Sequence, residues 1–158
     1  MTIHETIPNI GLGTYMMSPD EAEMMTYEAI KVGYRHIDTA EVYKNEKGVA
    51  GGIKKAISDN IVKRSDLFIT TKVFPGNERW GQKQKTYEDV LEALNKSLDR
   101  LELSYVDLYL IHSAHADQTR LDQWKALIDL KQQEYIKFAG VANWNINHLE
   151  EVKQNGLL

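Results

Sequence analysis

Apolar and polar residues follow two patterns along the chain, one with the period of an amphipathic helix and one typical of a short buried strand. The helical period is clearest after Thr86, where apolar residues recur every three or four positions. These residues are Tyr87, Val90, Leu91, Leu94, Leu98 and Leu101. Short apolar runs such as FITTKV and DLYLIH lie between the helical segments. The two patterns alternate five times, with about thirty residues to each pair.

The changes from one pattern to the other predict where each element begins and ends. The predicted strands are Ile10–Gly13, His36–Ala40, Phe68–Val73, Val106–His112 and Ile136–Ala142. Five helices are predicted. The first runs from Ser18 to Gly33, the second from Lys47 to Ser58, and the third begins at Thr86. The fourth contains Leu121 and Ile128, and the fifth runs from Asn147 to Gln154. The first helix is well marked, because Ser18-Pro19-Asp20-Glu21 supplies a cap, a proline at the first helical position and an acid at the third.

Alternating strands and helices predict parallel βαβ units with right-handed crossovers. Five such α/β units fit an open, doubly wound sheet of the flavodoxin kind. They also fit the first five strands of a partial (β/α)8 barrel, whose complete form usually has about 250 residues. The length of 158 residues favours the open sheet, whereas the residues at the strand ends favour the barrel. We find no linker, so residues 1–158 are predicted to form a single domain.

Three consecutive predicted strands end in side chains that can carry chemistry. Because parallel strands deliver their carboxyl ends to one side of a sheet, Asp38, Lys72 and His112 are expected to lie together. Adjacent strands lie about 4.8 Å apart, so Asp38 and Lys72 can form a direct ion pair. Tyr43, in the loop after Asp38, can fold back over this group. Each residue alone has an ordinary structural interpretation, but a lysine rarely points into a core unless it is paired.

These four residue types in one site are suited to proton delivery. A free phenol titrates near pH 10, so it is a poor acid at neutral pH. At about 4 Å and an effective dielectric of about 20, the Lys72 ammonium would stabilise a Tyr43 phenolate by up to ~4 kcal/mol. Asp38 would hold the lysine, and His112 could donate to a substrate oxygen. The side chains offer no hydride, so they predict a nicotinamide cofactor.

Composition and charge argue against several other classes of function. The formal net charge is -4 and the chain has no basic stripe, so nucleic-acid binding has little support. The absence of cysteine excludes disulfides and thiolate metal sites. No apolar run approaches the ~20 residues that cross a membrane, and the N-terminus lacks the pattern of a secretion signal. A cytoplasmic location is therefore expected.

Several segments resemble the aldo-keto reductase family. They are GLGTY at Gly11–Tyr15, GYRHIDTAEVYKNE at Gly33–Glu46, FITTKV at Phe68–Val73, SLDRLELSYVDLYLIH at Ser97–His112 and GVANW at Gly140–Trp144. An Asp, a Tyr, a Lys and a His form the catalytic set in this family, and they fall on Asp38, Tyr43, Lys72 and His112. The resemblance implies a (β/α)8 barrel and NADPH-dependent reduction of aldehydes or ketones, with Tyr43 as the proton donor.

The resemblance also implies contacts with the cofactor. Thr14 and Tyr15 match the family residues that follow the first strand and meet cofactor and substrate. Asp38 is expected near the nicotinamide ribose, and Asn143 matches the Asn that holds the carboxamide. Ala142 stands where the family usually has Ser, which puts one carboxamide hydrogen bond in doubt.

The substrate side of the site departs from the family pattern. Ser113 and Ala114 replace the Trp-Pro that often follows the catalytic His. Trp80, in the long loop after the third strand, is a candidate for the mouth of the substrate site. His115 could reach a metal, but no second ligand has suitable spacing, so no metal site is predicted.

The resemblance covers only the N-terminal part of the family's barrel. The phosphate site of such barrels usually lies on loops after strands seven and eight, which this sequence does not contain. Five strands would also leave two open sheet edges, and such edges pair or aggregate. We therefore expect an oligomer or a complementing chain. Two alternatives to a reductase of small carbonyl substrates stay open: an inactive fragment, and a non-enzymatic binding or regulatory module of the same fold.

Overall fold

Parallel strands alternate with helices along residues 6–157, the part of the chain that the computed structural model describes. The strands are β1 (Leu12–Gly13), β2 (His36–Asp38), β3 (Phe68–Val73), β4 (Val106–Ile111) and β5 (Ile136–Val141). The helices are α1 (Pro19–Lys31), α2 (Glu46–Ser58), α3 (Tyr87–Leu101), α4 (Arg120–Gln132) and α5 (Ile146–Gln154). Short 3-10 turns occupy Glu41–Tyr43, Arg64–Asp66 and Glu78–Trp80. None of the helices in these residues is long and apolar enough to span a bilayer.

The order of the strands separates the two predicted folds. The strands lie in chain order, β1-β2-β3-β4-β5, and every neighbouring pair is parallel. A doubly wound sheet reverses its strand order at a switch point, and the sheet of residues 6–157 has no such reversal. The prediction of a flavodoxin-like sheet is therefore wrong, and the partial (β/α)8 barrel is confirmed. The predicted domain of residues 1–158 extends beyond the described residues and stays a prediction.

The two faces of the sheet have different surroundings. Ile37, Ile69 and Tyr109 are fully buried in the core that the sheet shares with the helices. Because crossovers of one hand put the helices on this side, the opposite face becomes the inside of the barrel. Phe68 and Phe138 stack on that inner face, with ring centroids 6.2 Å apart. The polar residues at the strand tips belong to the same inner face.

The sequence predicted each of the five strands, and its errors concern their ends. β1 has two residues rather than four, because only two of them pair with β2. β2 ends at Asp38 rather than Ala40, because the chain turns there into the 3-10 segment Glu41–Tyr43. The first hydrogen bond of that turn runs from the Tyr43 amide to the Ala40 carbonyl at 3.0 Å. β4 and β5 each end one residue before the predicted position.

Capping side chains set the first residue of α1, α3 and α5. The Ser18 oxygen accepts from the Glu21 amide at 3.3 Å, and the Glu21 carboxylate accepts from the Ser18 amide at 2.8 Å, as the sequence predicted. Thr86 caps α3 in the same way. Asn145 caps α5, which therefore begins at Ile146, one residue before the predicted start.

α1 and α2 pack closely because α2 presents glycines to α1. A Cβ atom at Gly48 would overlap the carbonyl group of Pro19, and one at Gly52 would lie 2.6 Å from the Glu23 carbonyl oxygen. Gly51 faces only the Glu23 side chain, whose far end can move. Gly48 and Gly52 therefore allow the backbones of α1 and α2 to approach closely.

We expect Gly48→Ala to lower the free energy of unfolding by about 2 kcal/mol or more, since the new methyl group must push two backbones apart. Gly51→Ala is the matched control, because it gains about 1 kcal/mol of helix propensity and displaces only a flexible side chain. Urea unfolding followed by circular dichroism measures both. Equal stabilities of the two variants would contradict this account of the contact.

Candidate active site

The register of the sheet brings two strand tips together on the inner face. Asp38 of β2 pairs with Thr70 of β3, and Lys72 lies two residues further along the same face of β3. A lysine stem is long enough to cover this diagonal step. Lys72 Nζ extends toward β2 and forms an ion pair with Asp38 Oδ1. The ion pair expected from the sequence is therefore present.

Lys72 places all three of its ammonium hydrogens in polar contacts. Besides Asp38, Nζ donates to the Thr39 carbonyl oxygen at 2.9 Å and to Tyr43 Oη at 3.4 Å. The residue is only 6% exposed, so water supplies little of the solvation that a charged amine needs. These three acceptors take the place of water and fix the direction of the side chain.

Tyr43 reaches Lys72 because the turn Glu41–Tyr43 is tied to the end of β3. Glu41 Oε1 accepts from the backbone amide of Phe74 at 2.6 Å and from Lys85 Nζ at 3.0 Å. These bonds hold the turn in place, and the centroid of the Tyr43 ring lies 5.0 Å from Lys72 Nζ. Sequence reasoning did not single out Glu41, since an acid in a loop usually points to water.

His112 joins the group from the next strand. It follows the last residue of β4, and its amide donates to the Val73 carbonyl at 2.9 Å, which continues the sheet by one step. His112 Nε2 lies 3.4 Å from Tyr43 Oη, and the two rings meet edge to face with centroids 5.5 Å apart. The structure therefore brings together the four residues that the sequence proposed as one group.

The surroundings of His112 decide its protonation. Burial, and then the positive charge of Lys72, lowers the pKa of His112 below its usual value. The ring is therefore neutral at pH 7. Its Nδ1 is buried and has no hydrogen-bond partner among residues 6–157. Because a buried unpaired N–H is rarer than an unpaired acceptor, we assign the proton to Nε2, where it points at Tyr43.

Tyr43 consequently has one direction left for its own proton. A phenol oxygen has two lone pairs and one hydrogen. Lys72 and His112 both donate to Oη, so both lone pairs are occupied. The hydrogen must turn to an acceptor outside this group, on the side where Tyr43 lines an open cavity.

The cavity beside Tyr43 has a volume of about 650 Å³, within the usual range for small-molecule sites. Aromatic side chains line part of it, namely Tyr15, Phe74 and Trp80. Polar side chains line another part, namely Ser113, His115 and Asn143. Trp80 lines this cavity, and its place at the mouth of a substrate site stays a prediction.

Two of the residues predicted to meet a cofactor differ in their access to the cavity. Thr14 is fully buried, and its hydroxyl lies 3.2 Å from the Asp38 carbonyl oxygen and 3.3 Å from Asn45 Oδ1. Its side chain does not line the cavity. Tyr15 is 68% exposed, lines the cavity, and has its ring centroid 5.1 Å from that of Tyr43. Only Tyr15 of this pair can touch a bound molecule there with its side chain.

Asn143 fits the amide end of a nicotinamide. Its Nδ2 donates to the His112 carbonyl oxygen at 2.8 Å, which fixes the side chain beside the cavity. Its Oδ1 accepts no hydrogen bond from the described residues and is free to accept one from a carboxamide. Ala142 adds no polar side chain beside it. Within residues 6–157 no Lys or Arg lines the cavity, so the residues present fit a nicotinamide rather than its phosphates.

Sequence reasoning missed Asn45, which joins two loops of the site. This residue is fully buried. Its Oδ1 accepts from the hydroxyls of Thr14 at 3.3 Å and Thr39 at 2.9 Å. Its Nδ2 donates to the carbonyls of Thr14 at 2.8 Å and Met17 at 3.0 Å. A polar residue just before a helix looks like an ordinary cap, so no local signal reveals this role.

Comparison with known proteins identifies the family. The sequence model of the aldo/keto reductase family matches residues 9–157 of this chain. This chain therefore belongs to the aldo/keto reductase family, as its motifs predicted.

Similar proteins include two bacterial reductases. Methylglyoxal reductase DkgA of Yersinia pestis is 42% identical over 147 residues, which are 92% of this chain and 48% of that protein. Glyoxal reductase of Bacillus subtilis is 45% identical over 147 residues, which are 92% of this chain and 49% of that protein. The chain thus spans about half the length of these relatives.

Solved structures support the same architecture. The crystal structure of a Bombyx mori aldo-keto reductase in complex with NADP has a TM-score of 0.83 and 35% identity, covering 96% of this chain and 52% of that chain. An aldo/keto reductase from Brucella melitensis has a TM-score of 0.82 and 40% identity, covering 95% of this chain and 55% of that one.

We expect Asn45→Ala to lower the free energy of unfolding by about 2–4 kcal/mol, because the buried Thr39 hydroxyl loses its acceptor and the Thr14 and Met17 carbonyls each lose a donor. Asn95→Ala, at an exposed position of α3, is the matched control and should change stability by no more than about 0.5 kcal/mol. Urea unfolding measures both. A similar small effect at both positions would show that the two loops hold together without Asn45.

Stability should fall when the buried histidines are forced to take up protons. Burial lowers the pKa of His36 as well as that of His112. Both rings bind protons less tightly in the folded chain, so their contribution is intact above the unfolded pKa of about 6.5 and is lost below it. We expect the free energy of unfolding to drop between pH 6.5 and 5, and to drop less in the double variant His36→Asn, His112→Asn.

Urea titrations across this range measure the effect. The interval from pH 8 to 9 is the internal control, because both rings are neutral there in the folded and the unfolded chain and the two curves should run parallel. Identical slopes for both proteins between pH 6.5 and 5 would contradict the lowered pKa values.

Proposed function

We propose that this chain reduces aldehydes or ketones to alcohols. The observation that carries the proposal is the arrangement around Tyr43. Lys72 and His112 donate to its oxygen, so its own proton is available to an acceptor in the cavity. A carbonyl oxygen is such an acceptor. Membership of the aldo/keto reductase family supports this class of reaction.

Tyr43 is the general acid of the proposed reaction. Its O–H bond breaks as the carbonyl carbon is reduced, and the proton forms the hydroxyl group of the alcohol. The phenolate left behind is stabilised by the Lys72 ammonium, whose nitrogen lies 3.4 Å from Oη. Asp38 holds that ammonium in place. A proton from solvent restores Tyr43 after the product leaves.

His112 orients the substrate in this proposal. Its Nε2–H points at Tyr43 Oη, so a carbonyl oxygen that enters beside Oη can take over this hydrogen bond while it accepts the proton of Tyr43. A neutral ring suits this role, because a second cation beside Lys72 would be repelled. His112 thus supplies a fixed donor that needs no change of charge during the reaction.

A nicotinamide cofactor, NADPH by family, completes the proposal. When bound, it supplies the hydride. Asn143 would hold its carboxamide through Oδ1, and Tyr15 would touch it in the cavity. Asp38 would lie near the ribose, and Thr14 would act through its contact with the Asp38 carbonyl. The NADP bound to the Bombyx mori relative supports this choice of cofactor.

The names of the two bacterial relatives support small carbonyl compounds as substrates. The cytoplasmic location and the pairing of the outer strands with another chain stay predictions of the sequence. The alternative of a binding or regulatory module without turnover is separated from the reductase by the experiment below.

Replacement of Tyr43 tests the proposal. Tyr43→Phe keeps the ring and removes the proton, so we expect the rate of NADPH oxidation with methylglyoxal to fall about a thousandfold. Tyr135→Phe removes a hydroxyl from an exposed tyrosine and should leave the rate unchanged. Absorbance of NADPH measures the rate, and fluorescence titration measures whether NADPH binds.

Two results would count against the proposal. Equal rates for Tyr43→Phe and the unaltered chain would remove Tyr43 from its role as acid. Binding of NADPH and methylglyoxal to the unaltered chain without turnover would favour the non-enzymatic module.

A further inference from the structure

The chain after His112 continues along the cavity and carries a second histidine. Ser113 is buried and His115 is exposed, and both line the cavity. Ser113 Oγ lies 2.8 Å from His115 Nδ1. The His115 ring also contacts Trp80, with centroids 5.3 Å apart. Two contacts from different parts of the chain thus fix the orientation of this ring.

The hydrogen bond with Ser113 decides which nitrogen of His115 faces a ligand as a donor. The Ser113 hydroxyl has no other partner among the described residues, so we assign it as the donor to His115 Nδ1. With Nδ1 as the acceptor, the His115 ring carries its proton on Nε2. That nitrogen forms no hydrogen bond within residues 6–157. His115 therefore presents an N–H donor that is available to a molecule in the cavity.

An aromatic wall lies next to this donor. The rings of Phe74 and Trp80 are nearly parallel, with an interplanar angle of 5° and centroids 6.2 Å apart. Trp80 is 66% exposed, so most of its surface is accessible to a ligand. A flat apolar group can lie against this wall while His115 contacts its polar end.

The segment with His115 and the loop with Trp80 are joined by a buried amide. Gln84 is 5% exposed, and its Oε1 accepts from the backbone amides of Gln118 at 3.0 Å and Thr119 at 3.2 Å. The loop itself is closed by the bond from the Asn77 amide to the Gln82 carbonyl at 3.0 Å. The donor and the wall therefore belong to one preorganised surface.

We propose that His115, held by Ser113 and Trp80, recognises a hydrogen-bond acceptor at the far end of the carbonyl substrate. The body of that substrate lies against Phe74 and Trp80, and its reacting carbonyl lies at Tyr43. The preferred substrate class is thus a flat aldehyde or ketone with a carboxylate or similar acceptor distant from the carbonyl. This inference rests on the proposed function, which fixes the end of the molecule that is reduced.

The spacing along the chain is compatible with one small molecule contacting both sites. His115 lies three positions after His112 along the chain, so their Cα atoms lie no more than about 11 Å apart. His112 Nε2 marks the reacting end, since it lies 3.4 Å from Tyr43 Oη. A compound built on a single ring is of this size.

Binding of two alcohols that differ only at the far end tests the inference without turnover. The probes are 4-carboxybenzyl alcohol and 4-methylbenzyl alcohol, titrated into the chain and followed by NMR. We expect His115→Leu to weaken binding of the carboxy compound about tenfold, the loss of one hydrogen bond to a charged acceptor. Binding of the methyl compound should change less than about twofold. Ser113→Ala should act in the same direction with a smaller effect.

Control variants separate this inference from the proposed function. Trp80→Leu should weaken binding of both compounds, and that of the carboxy compound more, because it removes the shared wall and one of the two contacts that orient His115. Tyr43→Phe should leave the ratio of the two affinities unchanged, even if it abolishes turnover. The role of His115 would be overturned if His115→Leu lost the same factor of affinity for both compounds. It would also be overturned if the unaltered chain bound both compounds equally well. Neither result would affect the role of Tyr43.

Discussion

The site depends on the solvation of one ammonium group. Lys72 lies on the inner face of the sheet with 6% of its surface exposed, where a charge without partners would cost several kcal/mol. Asp38, Thr39 and Tyr43 each accept one of its hydrogens. A buried ion pair contributes little net stability, because desolvation offsets its attraction. What it supplies here is direction: the third hydrogen can only point at Tyr43.

Two kinds of constraint bring these partners together. The backbone ladder places Asp38 and Lys72, because the register of β2 and β3 puts them two residues apart on one face. Side-chain hydrogen bonds place the turn that carries Tyr43, through Glu41 on one side and Asn45 on the other. The first constraint comes with any sheet of this topology. The second depends on particular buried polar residues, so it is the part of the site that single substitutions can disturb.

The same distinction explains how much the sequence could predict. Periodicity located the five strands, and the alternation along them put Asp38, Lys72 and His112 on one face. Glu41 and Asn45 went unrecognised because their partners lie up to 44 residues away along the chain. Thr14 matched a family position, but its burial could not be read from local pattern. Periodicity reports which face a residue occupies, whereas side-chain hydrogen bonds across loops leave no periodic trace.

The two histidines near the end of β4 show why their surroundings matter more than their type. His112 is half-buried beside Lys72, so its pKa is lowered and its donor stays fixed against Tyr43. His115 lies three residues further on at an exposed position, where Ser113 and Trp80 orient it. A donor beside the reacting atoms must keep its proton, while a donor that recognises the far end of a ligand needs only a fixed direction and access. Burial next to a cation meets the first need, and a hydrogen bond at the surface meets the second.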